Sequence, residues 1–288
     1  MASAFSFTEQ IAACDLCGST RWSSVSAEAN VVECLDCKHR FVNPRPSQSE
    51  IAGSYSESDF YEGWIEAEAG RNRMWSKRLD LLKRAGRHVR LLDIGAGIGT
   101  FLHLASDRFG WEVVGTEVST SAVRVAREKY GIELRLGRAE DLQLPAGFFD
   151  VITLWHVLEH VPSPARTLEL CRDLLRPNGL LAIAVPNDDA ARSWLVRTRA
   201  RLGGKPPPPR YEPLRPHEEV HLSHFTSRVL SEALTSRGFN VELVTIDDQY
   251  AEPTPRSRAL VQTYRLITSL TRLNFGQALF VLARKKPV

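Results

Sequence analysis

From residue 89 onward, short apolar runs alternate with stretches in which apolar residues recur every three to four positions. These are the periodicities of buried strands and amphipathic helices. Val89–Ile94 reads as a strand, followed by a glycine-rich turn and a helix from about Thr100, and Glu112–Val118 reads as a second strand. Ser119 is placed to cap a helix that ends before Gly131, and Ser163 with Pro164 to start one stopped by Pro177 and Gly179. Further on, Thr226 caps a helix through Arg237, ended by Gly238, and NVELVTI and Gln277–Arg284 are strands. Arg256–Leu273 has helical spacing that predicts a core-facing helix. Strand and helix in alternation predict an α/β fold with a doubly wound, mostly parallel sheet.

The rhythm breaks twice. Residues 47–88 are mixed and read as a helical linker or active-site cover between an N-terminal module, 1–46, and the main domain, 89–288. Residues 187–225 contain GGKPPPPRYEPLRPHEEVHLSHF, too rich in proline for a helix or a central strand. A long insertion at this place predicts a lid. Over 190–215 it carries Arg192, Arg197, Arg199, Arg201, Lys205, Arg210 and Arg215 against one acid, Glu212, which suits an acidic or phosphorylated acceptor. A solvated basic helix over about Ala190–Leu202 is the plainer reading of the same charges. His217, His221 and His224 follow at i, i+4, i+7, but the prolines make helical spacing a poor basis for a catalytic metal.

Composition narrows the class. With 43% hydrophobic and 25% charged residues in 288, the chain is of ordinary globular type. It has no apolar run long enough to span a membrane and no basic-then-apolar leader, so a cytoplasmic location is expected. A formal net charge of +3, without aromatics interleaved among basic residues, gives no support for nucleic-acid binding.

Cys14 and Cys17 form one C-x-x-C, and Cys34 and Cys37 form another. Two residues between thiolates let one tight turn aim both sulfurs at a single cation, and two such turns complete a tetrahedron. The spacing predicts a structural Zn2+ module of zinc-ribbon type, because four thiolates leave no open coordination position. His39 reads as a surface residue and Cys171 as a small core residue of a helix.

The turn after the first strand runs DIGAGIGT, with Gly95, Gly97 and Gly99 preceded by Asp93. Such glycines let a ligand approach bare backbone at a helix N-terminus. The second strand ends in Glu117, placed to accept hydrogen bonds from both hydroxyls of a ribose. The glycine spacing is G-x-G-x-G rather than the dinucleotide G-x-G-x-x-G, and residue 100 is Thr. These residues, with FFDVITLWHVLEHVPSP and LLRPNGLLAIAVPN, resemble the Rossmann-like, class I S-adenosylmethionine-dependent methyltransferases over about Val89–Asn187. The resemblance implies a seven-stranded sheet and S-adenosylmethionine as co-substrate. It also implies adenine contacts from the backbone of Ala139 and the side chain of Glu140 or Asp141.

In open α/β sheets the ligand lies outside the carboxyl ends of the strands, which places Trp155 beside the cofactor and His156, Glu159 and His160 at the site. A sulfonium methyl needs no activation, so for a hydroxyl acceptor the protein must align the partners and remove a proton. The resemblance makes His160 the first candidate base, because some relatives that methylate sugar hydroxyls carry a histidine there; His156 is the second. The zinc module with this domain resembles enzymes of polysaccharide and natural-product pathways. That favours O-methylation of a small-molecule acceptor, such as a sugar nucleotide, a glycan end or a natural-product hydroxyl. The alternatives are an RNA or protein methyltransferase, which would use the zinc module and basic lid for recognition, and a non-catalytic zinc-dependent binding protein.

Overall fold

The computed structural model describes residues 5–56, 68–86, 89–247, 255–271 and 276–287. At the N-terminus, β1 (Trp22–Ser26), β2 (Val31–Cys34) and β3 (Arg40–Val42) form an antiparallel meander. Helices α1 (Gln48–Ser56) and α2 (Glu68–Leu82) lead into β4 (Arg90–Ile94), α3 (Thr100–Phe109), β5 (Glu112–Glu117), α4 (Thr120–Tyr130), β6 (Leu134–Leu136) and β7 (Phe149–Trp155). The chain continues through α5 (Pro164–Leu174), β8 (Leu175–Pro186), α6 (Ala191–Leu202), β9 (Ser223–His224), α7 (Ser227–Ser236), β10 (Phe239–Ile246), α8 (Pro255–Thr271) and β11 (Ala278–Lys285).

Seven strands form one sheet in the order β10-β11-β8-β7-β4-β5-β6, and β11 alone runs against its neighbours. The expected doubly wound, seven-stranded α/β fold is therefore present. Alternate residues of a strand face opposite layers. In β4, Leu92 packs with α5 and α7, whereas Leu91 packs with α2 and α3. β7 is buried along its whole length, which is why FDVITLW is apolar on both faces apart from Asp150 and Thr153. Ser119, Ser163 and Thr226 each accept a backbone N–H of the first turn they cap, from Ala122, Arg166 and Val229.

Three expectations need correction. The helix opened by Ser163 ends at Leu174, and Pro177 and Gly179 lie inside β8 instead of stopping it. Leu175 already pairs with Phe149, and Lys285 Nζ donates to its carbonyl at 2.7 Å, so the strand starts before the proline. The helix over 255–271 is not simply core-facing, because Leu260, Leu266 and Leu270 are exposed while Thr268 is buried. His39 is 1% exposed, and its ring stacks on Phe225. The residue after it starts β3, which pairs with β9, and this packs the histidine between the module and the main domain. Burial holds His39 neutral, lowering its pKa to about 3.

The insertion over 187–225 thus supplies the fourth strand of the N-terminal sheet, in the order β1-β2-β3-β9. Its polyproline part follows α6, and its return leg is buried at Tyr211, Val220 and Leu222.

The crowding of the parallel layer is tested at Gly115 in β5. A Cβ there would stand 2.4 Å from Leu134 Cδ2 and 2.6 Å from Leu102 Cδ1. Gly115→Ala is expected to destabilise the protein by about 1–3 kcal/mol in urea unfolding. An unchanged midpoint would show that α3 and β6 yield freely.

Candidate active site

The cofactor side is built where β4 and β5 end. Gly95, Gly97 and Gly99 have φ of 70°, 56° and 76°, the left-handed region that favours glycine. A Cβ on Gly95 would also meet Val157 Cγ2 at 2.5 Å. The Glu117 carboxylate accepts the N–H of Gly97 at 2.8 Å through one oxygen, and those of Val118 and Ser119 at 2.8 and 3.0 Å through the other. Burial pushes its pKa up against these bonds. Asp93, 1% exposed, accepts from Thr153 Oγ1 at 2.6 Å, and burial pushes its carboxyl up to about 8.

Ala139 is buried at the start of a single 3-10 turn, Ala139–Asp141. The Glu140 carboxylate accepts from Thr167 Oγ1 of α5 at 2.6 Å, whereas Asp141 is exposed. Trp155 is 6% exposed, stacked on Phe280 and edge-on to Phe101 within the layer shared with α2 and α3.

A chain of buried charge runs across the carboxyl ends of β7 and β10. Arg78 of α2, 2% exposed, pairs bidentately with Asp247 and lies between the rings of Trp75 and Trp155, 4.6 and 4.5 Å from their centroids. His156, held at φ 57°, places Nε2 3.5 Å from Asp247 and Nδ1 3.5 Å from Glu159. Burial opposes its charge, but the two carboxylates outweigh burial and raise its pKa to about 9. Arg78 and Asp247 escape a reading of the sequence. Arg78 has no signal beyond helical spacing, whereas Asp247 stands just past an apolar strand, where α/β sheets place functional groups.

His160 differs from His156. Its Nδ1 donates to the carbonyl of Val220 at 2.7 Å, so in the neutral ring Nε2 carries the lone pair. Burial lowers its pKa against the pull of Glu159. Glu159 is 1% exposed, and neither carboxylate oxygen has a hydrogen-bond partner among the described residues. Burial would raise its pKa, but protonated histidine beside it, as His156 is, holds it low. Ligand atoms of Glu159, His160 and His221 lie within 4.8 Å of one another, a set that could hold a divalent cation. The structure does not gather His217, His221 and His224: His217 is in a turn, His221 packs on His160, and His224 packs on Tyr211.

A cavity of about 320 Å³ opens beside this cluster, between β2, β3 and the insertion. Asp188, Arg210, Tyr211, Arg215, Glu219 and His221 are among its lining residues.

In the N-terminal module all four cysteine sulfurs lie within 4.8 Å of one another. Cys14 and Cys37 are 3.5 Å apart, and Cys17 and Cys34 3.6 Å. Zinc–sulfur bonds of about 2.3 Å require tetrahedral edges of about 3.8 Å, so the four thiols fit a closed zinc site.

A doubly wound sheet, a glycine turn and a carboxylate ending the second strand define a nucleoside-binding Rossmann-like domain. Residues 67–244 match the family described as "Methyltransferase domain", and the chain belongs to that family, the class I S-adenosylmethionine-dependent methyltransferases. It is similar to ubiquinone biosynthesis O-methyltransferases, at 40% identity over 104 residues in Cereibacter sphaeroides and 29% over 161 residues in Xanthomonas campestris. The matches cover 34% and 51% of this chain, and 42% and 67% of those proteins. A chain from the complex of the Haloferax volcanii Trm112 methyltransferase activator with a methyltransferase shares the fold at TM-score 0.54 and 16% identity, over 80% of this chain and 98% of that one. A Thermotoga maritima S-adenosylmethionine-dependent methyltransferase does so at 0.53 and 16%, over 82% and 100%.

Two measurements follow from this geometry. The purified protein is expected to carry about one zinc per chain. Chelation should raise amide exchange in β2 and β3 and equally in residues 220–224, because β9 closes the same sheet; loss confined to the N-terminus would contradict that union. The second concerns His156, whose folded pKa is raised, so its contribution to stability is complete below its unfolded value and lost as pH rises through about 9. Stability of the zinc-loaded protein should fall by roughly 1–3 kcal/mol from about pH 7 to about pH 9.5. His156→Gln should flatten the slope above about pH 8 and reduce it between about pH 7 and 8, where the part from Asp93 remains.

Proposed function

We propose that the chain transfers the methyl group of S-adenosylmethionine to a hydroxyl of a small polar acceptor, with His160 as general base. The observation that carries this reading is the contrast between the two histidines after β7. His156 is held as an imidazolium by Asp247 and Glu159, and so has no lone pair to offer at neutral pH. His160 is held neutral, with its Nδ1 proton on the carbonyl of Val220 and its Nε2, 3.8 Å from Glu159 Oε1, as the ring nitrogen that takes a proton.

The sulfonium methyl of the bound co-substrate is already electrophilic. The protein's task is to bind, align and deprotonate. Glu117 is positioned to accept the ribose hydroxyls, and the glycine turn admits the nucleoside against bare backbone. The acceptor is assigned to the cavity between the N-terminal sheet and the insertion, whose volume suits a monosaccharide-sized group. Its arginines, carboxylates and single tyrosine favour a hydroxylated or acidic molecule, such as a sugar nucleotide, a glycan end or a polar natural product. The O-methyltransferase names of the relatives agree with the reaction type.

The test is to supply methyl-labelled S-adenosylmethionine and fractionated cell extract. Label in small molecules or glycan supports the proposal, and label in RNA or protein rejects it. Binding of S-adenosylhomocysteine with no transfer to any fraction would make the chain a non-catalytic binding protein. His160→Ala is expected to lower kcat by about 10²–10⁴ while changing S-adenosylhomocysteine affinity less than about twofold; an unaltered kcat removes His160 from the base role.

A further inference from the structure

The insertion presents a helix whose outer face no other described residue covers. In α6, Trp194, Leu195, Val196 and Leu202 are 68%, 42%, 46% and 84% exposed. At about 100° per residue, Trp194, Leu202 and Leu195 fall within one arc of about 100° on the helix surface. Arg201 stands on one flank of that arc and Arg199 on the other, and both are exposed. No Asp or Glu occurs between Asp189 and Glu212, while Arg192, Arg197, Arg199, Arg201, Lys205 and Arg210 do.

A second apolar face lies at the same end of the sheet. Asn187, which precedes α6, binds the backbone oxygens of Gly276 and Gln277, between α8 and β11. On α8, Leu260, Leu266 and Leu270 are 51%, 61% and 76% exposed.

We propose that α6, with the exposed leucines of α8, docks the protein onto an anionic phospholipid surface. The helix has the required pattern: a tryptophan and leucines on one face, arginines along its borders, and too little length to span. Among the described residues no helix is long and apolar enough to cross a membrane, so the contact is with the surface of the bilayer. A second copy fits less well, because a self-complementary contact would bring together Arg199 and Arg201 of two helices that carry no Asp or Glu. An anionic bilayer neutralises those charges while it takes up the apolar arc.

Flotation of the zinc-loaded protein with vesicles tests this. Vesicles of phosphatidylcholine and phosphatidylglycerol at about 3:1 are expected to carry at least about tenfold more protein than phosphatidylcholine alone at low salt, and to release it as salt rises. Trp194→Ser with Leu202→Ser should lower recovery about tenfold, and Arg199→Gln with Arg201→Gln about as much. Zinc content and S-adenosylhomocysteine affinity should stay unchanged in both variants, since these side chains are exposed. Failure to float with the anionic vesicles, or flotation that both variants retain, overturns the proposal. Self-association that disappears in Trp194→Ser with Leu202→Ser assigns the face to a second copy and overturns it as well. None of these outcomes depends on the identity of the acceptor.

Discussion

Two backbone N–H groups, from Leu222 and Ser223, converge on the carbonyl oxygen of Glu159 at 2.8 and 3.0 Å. That one oxygen holds the return leg of the insertion to the loop after β7, and Val42 N–H holds the same leg to β3 through the carbonyl of Leu222. Three parts of the chain meet there: the cysteine module, the loop bearing both histidines and the insertion. Arg40 adds ion pairs to Glu33 within the module and to Asp188 at the start of the insertion. Because Val220 carries the acceptor for His160 Nδ1, the tautomer of that histidine depends on the same ladder.

The buried charges form a second tier. Arg78, Asp247, His156 and Glu159 come from α2, the end of β10 and the loop after β7, and none is more than partly exposed. Removing any one of them would leave its partners buried and unbalanced, which is costlier than the pairing is worth. Their alternation of sign fixes opposite protonation states on two histidines that are four residues apart.

The main sheet was largely legible, because its signals are local. Apolar runs, the caps Ser119, Ser163 and Thr226, and the glycine turn each act within a few residues. What escaped is set by distant partners. His39 looks like any polar residue after a cysteine knuckle until Phe225 covers it. The leucines of α8 have core-like spacing, yet part of that face is exposed. Pro177 and Gly179 are helix stops by composition, but the pairing of Leu175 with Phe149 ends the helix before them. At the site, the cysteines and glycines declared themselves by spacing, whereas the joining of Glu159 and His160 with His221 needed the fold.

The fourth strand of the cysteine sheet has a consequence for how the chain comes into being. Arg40 pairs with His224, so the edge of an N-terminal module is completed by a segment synthesised after five strands of the other sheet have been made. During translation the module must persist with the outer edge of β3 uncovered, and the four thiols are what it has to keep the knuckles closed meanwhile. Zinc, which the four thiols fit, would then be needed during synthesis as well as in the finished protein.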